Sequence, residues 1–468
     1  MFDLIIKNGY IVTPGGTING WIGLQNGIIA AVGCGNTIPL SCRVIDAYEN
    51  YVIPGLIDPH FHMESDEDQS IEDGIVRNYP VETEGALHGG VTTFGHFVGL
   101  LNEPLVPRLE TTVRLGPQFS YVDFFCHACV VNDEHIAEEK ELYRKGVTSF
   151  KHFFNPYKAT EGMGRFAPCN EAQLFRSFER IAALGYPALA QVHCEEIEIC
   201  WMLRDRLRAA GRNDLLAWTE SRPGFAEAIR AGMAIGIAEA TRCPLYIVHV
   251  SSKETVKLIG DAINSGTMVY AETCPQYLTH TGEMETQIGC WGKVNPSLKY
   301  PEDIETLWQS LQSGVIKSIG TDSGTGGRTR TTKERGKGKH NNIWDSRIGV
   351  RGGFEHMLPV MMTYGVNKDR ISIEDLVKLC SINTAMVFGL YPRKGVLAPG
   401  SDADIVLVDP DKEAVIDDSF YHCLCEVSIY EGHRIRGMAR TVIIRGKVMM
   451  EDFETVGKPG HGTYIPYE

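Results

Sequence analysis

Between residues 52 and 390 the chain alternates short apolar runs with helical stretches, and this alternation limits the possible folds more than any other feature. The apolar runs lie at 52–57, 91–97, 121–125, 147–151, 188–193, 245–250, 268–272 and 316–320. That makes eight, the number of strands a TIM (β/α)8 barrel needs, so the expected class is α/β. The helical stretches between them carry their own signals. Residues 171–184 place Leu174, Phe175, Phe178, Ile181 and Ala182 on one stripe and stop at Gly185. Ser251-Ser252-Lys253-Glu254 resembles a capping box opening another helix.

The two ends have a different texture. Residues 4–7, 10–13, 22–25 and 28–32 are short alternating segments broken by Gly and Asn, and they read as a small antiparallel sheet. The first of them runs into Asn8-Gly9, which reads as a turn. Alternation returns at 403–408 and 441–449, the latter turning at Arg445-Gly446-Lys447. Two β-rich ends around a long middle predict one small β-sandwich built from both termini. The expected division is 1–51 for its first part, 52–390 for the barrel, and 391–468 for its second part and the C-terminal tail. A length of 468 residues suits a large barrel with something added.

Charge and cysteine usage exclude several classes. A formal net charge of −14 argues against a nucleic-acid surface, which would be basic. No apolar run is long enough to span a bilayer, and the N-terminus lacks the basic start and cleavage site of a signal peptide. Thirteen cysteines without regular spacing fit free thiols in a reducing cytoplasm. Cys126-His127-Ala128-Cys129 matches C-x-x-C, but no second pair stands at zinc-finger distance, so core packing is the expectation there.

Chemistry gathers at the ends of the apolar runs. His60 and His62 form a His-x-His pair closing run one, and residues two apart in a strand share a face. Lys151 ends run four, His193 ends run five, His249 lies at the end of run six, and Asp322 follows run eight. In a barrel all six reach the C-terminal face, where barrel enzymes keep their active sites. Taken singly, each has a plain alternative as a hydrogen-bonded structural residue. Their joint placement favours one binuclear metal site.

Lys151 is the unusual member, because a protonated lysine has no lone pair for a metal. Each divalent ion at 4 Å would repel it by roughly 8 kcal/mol at an effective dielectric of about 20. Reaction of the neutral amine with carbon dioxide gives a carbamate (N6-carboxylysine), an anion able to bridge two metals about 3.5–4 Å apart. A hydroxide held between those metals would be the nucleophile.

These stretches carry a resemblance over nearly the whole chain. Pro54-Gly55-Leu56-Ile57-Asp58-Pro59-His60-Phe61-His62, Ser149-Phe150-Lys151, Val192-His193-Cys194-Glu195 and His249-Val250-Ser251 match the metal motifs of the amidohydrolase superfamily. Glu272-Thr273-Cys274-Pro275-Gln276-Tyr277-Leu278, the run from Phe388 to Gly395 and Gly400-Ser401-Asp402-Ala403-Asp404 are similar to its dihydropyrimidinase/hydantoinase branch. The resemblance implies hydrolytic opening of a cyclic amide (a hydantoin, dihydropyrimidine or cyclic imide), with two divalent ions, zinc or manganese. It also implies a homotetramer, with a homodimer as the smaller alternative. Asp322 would take the proton of the attacking hydroxide and pass it to the leaving nitrogen. A tyrosine would steady the oxyanion. Tyr157 is the candidate, one residue later than the usual spacing from the lysine, and a merely packed aromatic is its alternative.

The remaining departures fall in the substrate pocket. Asn295 matches a position whose backbone holds the ring in relatives, and Gly349 aligns with a substrate-binding Asn, so only its backbone carries over. Arg347 or Arg351 is a candidate to recognise a substrate carboxylate, as an allantoate-like or dihydroorotate-like compound would require. The acidic run 64–68 and the basic run 328–339 read as solvated loops, or as two halves of a lid. An allantoinase- or dihydroorotase-like hydrolase of an anionic cyclic ureide is therefore the nearest alternative. A non-catalytic scaffold of the same fold is the rival from another class, and retention of all six ligands favours the enzyme. A mononuclear deaminase would leave Lys151 without a task.

Overall fold

The computed structural model describes residues 1–35, 37–63, 70–99, 103–154, 169–325, 342–346, 348–425 and 428–467. The terminal sheet opens with β1 (Phe2–Thr13), β2 (Gly16–Gln25), β3 (Ile28–Cys34), β4 (Ser41–Asp46) and β5 (Tyr51–Pro54). The barrel strands follow as β6 (Leu56–His62), β7 (Val91–Val98), β8 (Asp123–Cys129), β9 (Ser149–Phe153), β10 (Leu189–His193), β11 (Leu245–Ile247) and β12 (Val269–Thr273), ending in β13 (Ser318–Ile319) and β14 (Ser323–Gly324). The chain then returns to the terminal sheet with β15 (Ile405–Val415), β16 (Arg434–Ile444), β17 (Lys447–Glu451) and β18 (Glu454–Thr455).

The barrel strands pair in parallel in sequence order from β6 to β13. Strand eight is split. β13 bonds to β12 and β14 bonds to β6, so the two pieces close the ring between them. Asp322 sits in the break with φ +51, a left-handed conformation that costs a non-glycine residue energy and recurs where side chains are aimed at chemistry. The expected run 316–320 therefore covers only the first piece.

Terminal strands from both ends form one mixed sheet, joined where β5 pairs antiparallel with β15. Leu4, Ile6, Ile22, Leu24, Ile29, Ile405, Leu407 and Ile443 fill its core, as a small β domain built from both termini requires. Asn8-Gly9 is not a turn: β1 runs through it with a bulge between Lys7 and Gly9. A Cβ at Gly9 would lie 2.4 Å from Val52 Cγ2, so the bare glycine lets β5 close up. Arg445 and Gly446, at φ +44 and +76, do make the tight hairpin between β16 and β17.

Helices cover the outside of the barrel. Helix Glu171–Leu184 starts in a capping box between Asn170 and Gln173 and buries Leu174, Ser177, Phe178 and Ile181. Phe175, expected on the buried stripe, is 40% exposed, because the face against the barrel is narrower than the apolar stripe. Helix Lys253–Asn264 is capped by Ser252 rather than Ser251, whose hydroxyl is turned to the buried Glu227 carboxylate. Cys126 and Cys129 are buried within β8 as core residues. No helix among the described residues is long and apolar enough to cross a membrane.

Candidate metal centre

Parallel strands end on one face, and the ends of β6, β9 and β10, with the turns after β11 and β13, meet there. His60 and His62, two residues apart at the end of β6, present both rings to Asp322. Their Nε2 atoms lie 3.1 and 3.3 Å from the same Asp322 oxygen. Together the three offer ligand atoms all within 4.8 Å of one another. Across the mouth, His193 Nδ1 lies 2.8 Å from His249 Nε2, and the two rings are 4.6 Å apart. His249 is held at φ +41, a second strained backbone at the site. The His60 and His249 rings are 5.4 Å apart, which joins the two halves.

Lys151 projects from β9 with its side chain almost wholly buried. Its ammonium lies 5.1 Å from the Phe97 ring centre, and Phe97 also packs on His60 and His62 at 4.7 and 4.9 Å. One aromatic ring thus floors both the histidine pair and the lysine. Burial pulls the Lys151 amine down to about 8, against the pull of Asp322 and Glu272 in the other direction.

The protonation states suit a cation. Burial lowers His62, His193 and His249, so these rings are neutral near pH 7 and keep a lone pair. Burial raises the Asp322 carboxyl, but the His60 and His62 imidazoles more than reverse this and hold it well below the usual carboxylate range. His60 runs the other way: burial opposes its proton, but the Glu272 and Asp322 carboxylates more than reverse this and hold the ring above its usual value, so it is the imidazole that has a proton to give up to a cation. Three neutral imidazoles, His60 and an ionised carboxylate, converging in a buried mouth, are the donor set of a divalent metal site. Buried His249 Nδ1 has no hydrogen-bond partner among the described residues.

Supporting groups complete the arrangement. Glu272 faces His60 Nδ1, and Tyr246 donates to the other Glu272 oxygen at 2.8 Å. His193 Nε2 faces Glu195 at 2.9 Å, and Arg222 pairs with Glu195 at 3.2 Å. Asp58 accepts from the Thr321 hydroxyl at 2.6 Å and from the His60 amide at 3.0 Å, tying β6 to the turn that carries Asp322. Carboxylates behind ligand histidines fix ring tautomer and orientation. Sequence reasoning left Asp58, Glu195 and Glu272 without roles. Their signal was an acidic residue within or directly after an apolar strand.

The expected pocket residues are distributed unevenly. Asn295 is buried beside the Pro296 peptide. The Gly349 amide donates to the Lys293 carbonyl at 3.0 Å, and Gly349 adopts φ +113. Half-buried Arg351 donates to the Val350 carbonyl at 2.8 Å. Tyr157, Arg347 and the charged runs 64–68 and 328–339 lie outside the described residues.

Comparison with known proteins agrees with this geometry. The Amidohydrolase family matches residues 51–449. The L-hydantoinase of Paenarthrobacter aurescens is 31% identical, over 99% of this chain and 98% of its own. The D-hydantoinase of Ralstonia pickettii is 33% identical, with the same coverage. A solved L-hydantoinase (dihydropyrimidinase) from Arthrobacter aurescens superposes with a TM-score of 0.89 at 30% identity, covering all of both chains. The chain belongs to the amidohydrolase family, in its hydantoinase branch.

Proposed function

We propose that this chain is a metal-dependent hydrolase that opens a cyclic amide ring. The observation that carries the reading is the convergence of His60, His62 and Asp322 with His193 and His249 around buried Lys151 at one barrel mouth. Similarity to hydantoinases that act with either hand supports the substrate class without choosing the stereochemistry.

His60, His62 and Asp322 would hold one divalent ion, and His193 and His249 a second. Two imidazoles leave the second ion short of anionic ligands, and Lys151, as its carbamate, would bridge the pair. The neutral amine that carbamate formation needs is made accessible by burial, which brings the amine to about 8. Zinc suits this nitrogen-rich set, and manganese is the alternative. Two such ions, when bound, lower the pKa of water and draw electron density from the ring carbonyl.

The chain's own groups do the rest. Asp322 accepts the proton of the attacking water and delivers it to the ring nitrogen as the C–N bond breaks, leaving a carboxylate and an open amide or carbamoyl arm. Tyr157 would donate its hydroxyl proton to the carbonyl oxygen as charge develops there. Asn295 and the Gly349 backbone would hold the ring. We further propose a homotetramer in the cytoplasm, where thirteen free thiols are at home.

The test is metal content alongside hydrolysis of a panel of hydantoins, dihydrouracil, cyclic imides, allantoin and dihydroorotate. About two ions per chain with opening of one ring class is the expected result. Protein that takes up no metal and opens no ring, even with zinc and bicarbonate supplied, would sink the reading in favour of a scaffold.

A further inference from the structure

One wall of the mouth is shaped around an arginine. β14 pairs in parallel register with β6, with Gly324 opposite His62. Paired residues in a parallel ladder present their side chains to the same face, so Gly324 stands on the side of β14 where His62 presents its ring. A Cβ at Gly324 would lie 3.7 Å from the His62 Cβ and 3.3 Å from the Arg351 terminal nitrogen Nη1. The guanidinium and the His62 side chain therefore flank a single point on the inner face. A Cβ at Gly349 would come within 3.0 Å of the same nitrogen, and φ +113 keeps side chains out of that position as well.

The arginine is anchored as well as accommodated. Nη1 donates to the Val350 carbonyl at 2.8 Å, the same carbonyl that takes the Gly324 amide at 3.2 Å. Val350 also bridges Ser323, the residue after Asp322. Arg351 is thus held on the strand piece that continues from the candidate catalytic aspartate. A planar guanidinium recognises a carboxylate through paired, charge-assisted hydrogen bonds, a geometry that lysine cannot copy.

We infer that Arg351 selects the substrate: the ring this enzyme opens bears a carboxylate arm, which the guanidinium holds while the ring amide lies over His60, His62 and Asp322. The inference rests on the cyclic-amide hydrolase reading and narrows it to acidic rings.

Hydantoin-5-acetic acid and its neutral amide, hydantoin-5-acetamide, differ only in that charge. The metal-loaded parent enzyme should open the acid with a kcat/KM at least about 10-fold above the amide, the lower bound for one charge-assisted contact. Arg351→Ala should lose about 10- to 100-fold on the acid and less than threefold on the amide, and Arg351→Lys should recover part of that loss. Parent enzyme without preference for the acid, or an equal loss on both compounds, overturns the role of Arg351 and leaves the hydrolase standing. Because the preference is read first in the parent, a misfolded variant does not blunt the test. Metal-loaded parent that opens neither these rings nor any of the wider panel defeats the hydrolase reading itself, and this inference with it.

Discussion

Glu272, on β12 and 212 positions away in sequence, turns its carboxylate onto the Nδ1 of His60. The contact presets His60 to offer Nε2 toward Asp322, and Tyr246 holds the other carboxylate oxygen in place. Such a carboxylate raises the basicity of a ligand imidazole, and its loss commonly weakens metal binding by 10- to 100-fold. Glu272→Gln keeps the shape and removes the charge. The expected outcome is a folded protein whose metal affinity falls by about 10- to 100-fold, read by metal content along a chelator series. Unchanged affinity would mean that Glu272 only fills the barrel.

One substitution tests Tyr157. If its hydroxyl steadies the oxyanion, Tyr157→Phe lowers kcat by about 10²–10³ and leaves KM within a few-fold, since the contact forms only as charge develops. A packed aromatic would tolerate the change with kcat intact.

Much of the barrel was legible because parallel strands buried on both faces read as unbroken apolar runs. The ligands were legible for a related reason: His60, His62, Lys151 and His193 are polar residues where such runs stop. What escaped was set by contacts remote in sequence. Strand eight breaks at Asp322, whose left-handed backbone has no periodic signature. Asn8-Gly9 looks like a turn, and only the approach of Val52 makes it a bulge. Glu272 lies 212 positions from His60, so nothing local announces their contact. Phe175 shares the apolar stripe of its helix, yet the barrel surface beneath is too narrow to cover it.

Lys394 binds the terminal sheet to the base of the barrel. Its buried ammonium lies 2.6 Å from Asp123 on β8, 2.6 Å from Asp404 and 2.9 Å from Asp402. Arg445 pairs with the same Asp123. Burial pulls the lysine down, and the three carboxylates more than reverse that, holding it above its usual value. Lys394→Met would strand buried carboxylates, at a cost of about 3–5 kcal/mol. Paired denaturation curves at fixed protein concentration measure this. Adding Asp404→Asn should recover about 1 kcal/mol or more, because it removes one of the stranded charges. If the double variant is no better than the single, the cluster is not the cause.

Glu139, on helix Asp133–Arg144, supplies a pH dependence of its own. Its side chain is 1% exposed, shared between the Ser177 hydroxyl and an Arg180 nitrogen 3.5 Å away. Burial is the largest effect on its carboxyl and pushes it up to about 8, against the opposing pull of Ser177 and Arg180. In the unfolded chain the same group titrates near its ordinary value of 4.5. Between these values the folded state keeps a proton that the unfolded state releases. Folded protein thus binds more protons, and stability falls as pH rises through the window. Below pH 4.5 the group is protonated in both states and imposes no penalty; above about 8 the penalty is complete. Glu139→Gln removes the titration and keeps hydrogen-bonding capacity toward Ser177. Relative to the parent, the variant should gain about 3–5 kcal/mol between pH 4.5 and pH 8. Thermal unfolding of both proteins at several pH values gives the difference directly. A flat difference would mean that Arg180 keeps Glu139 ionised inside the fold, and that the pair, not the proton, satisfies this corner of the structure.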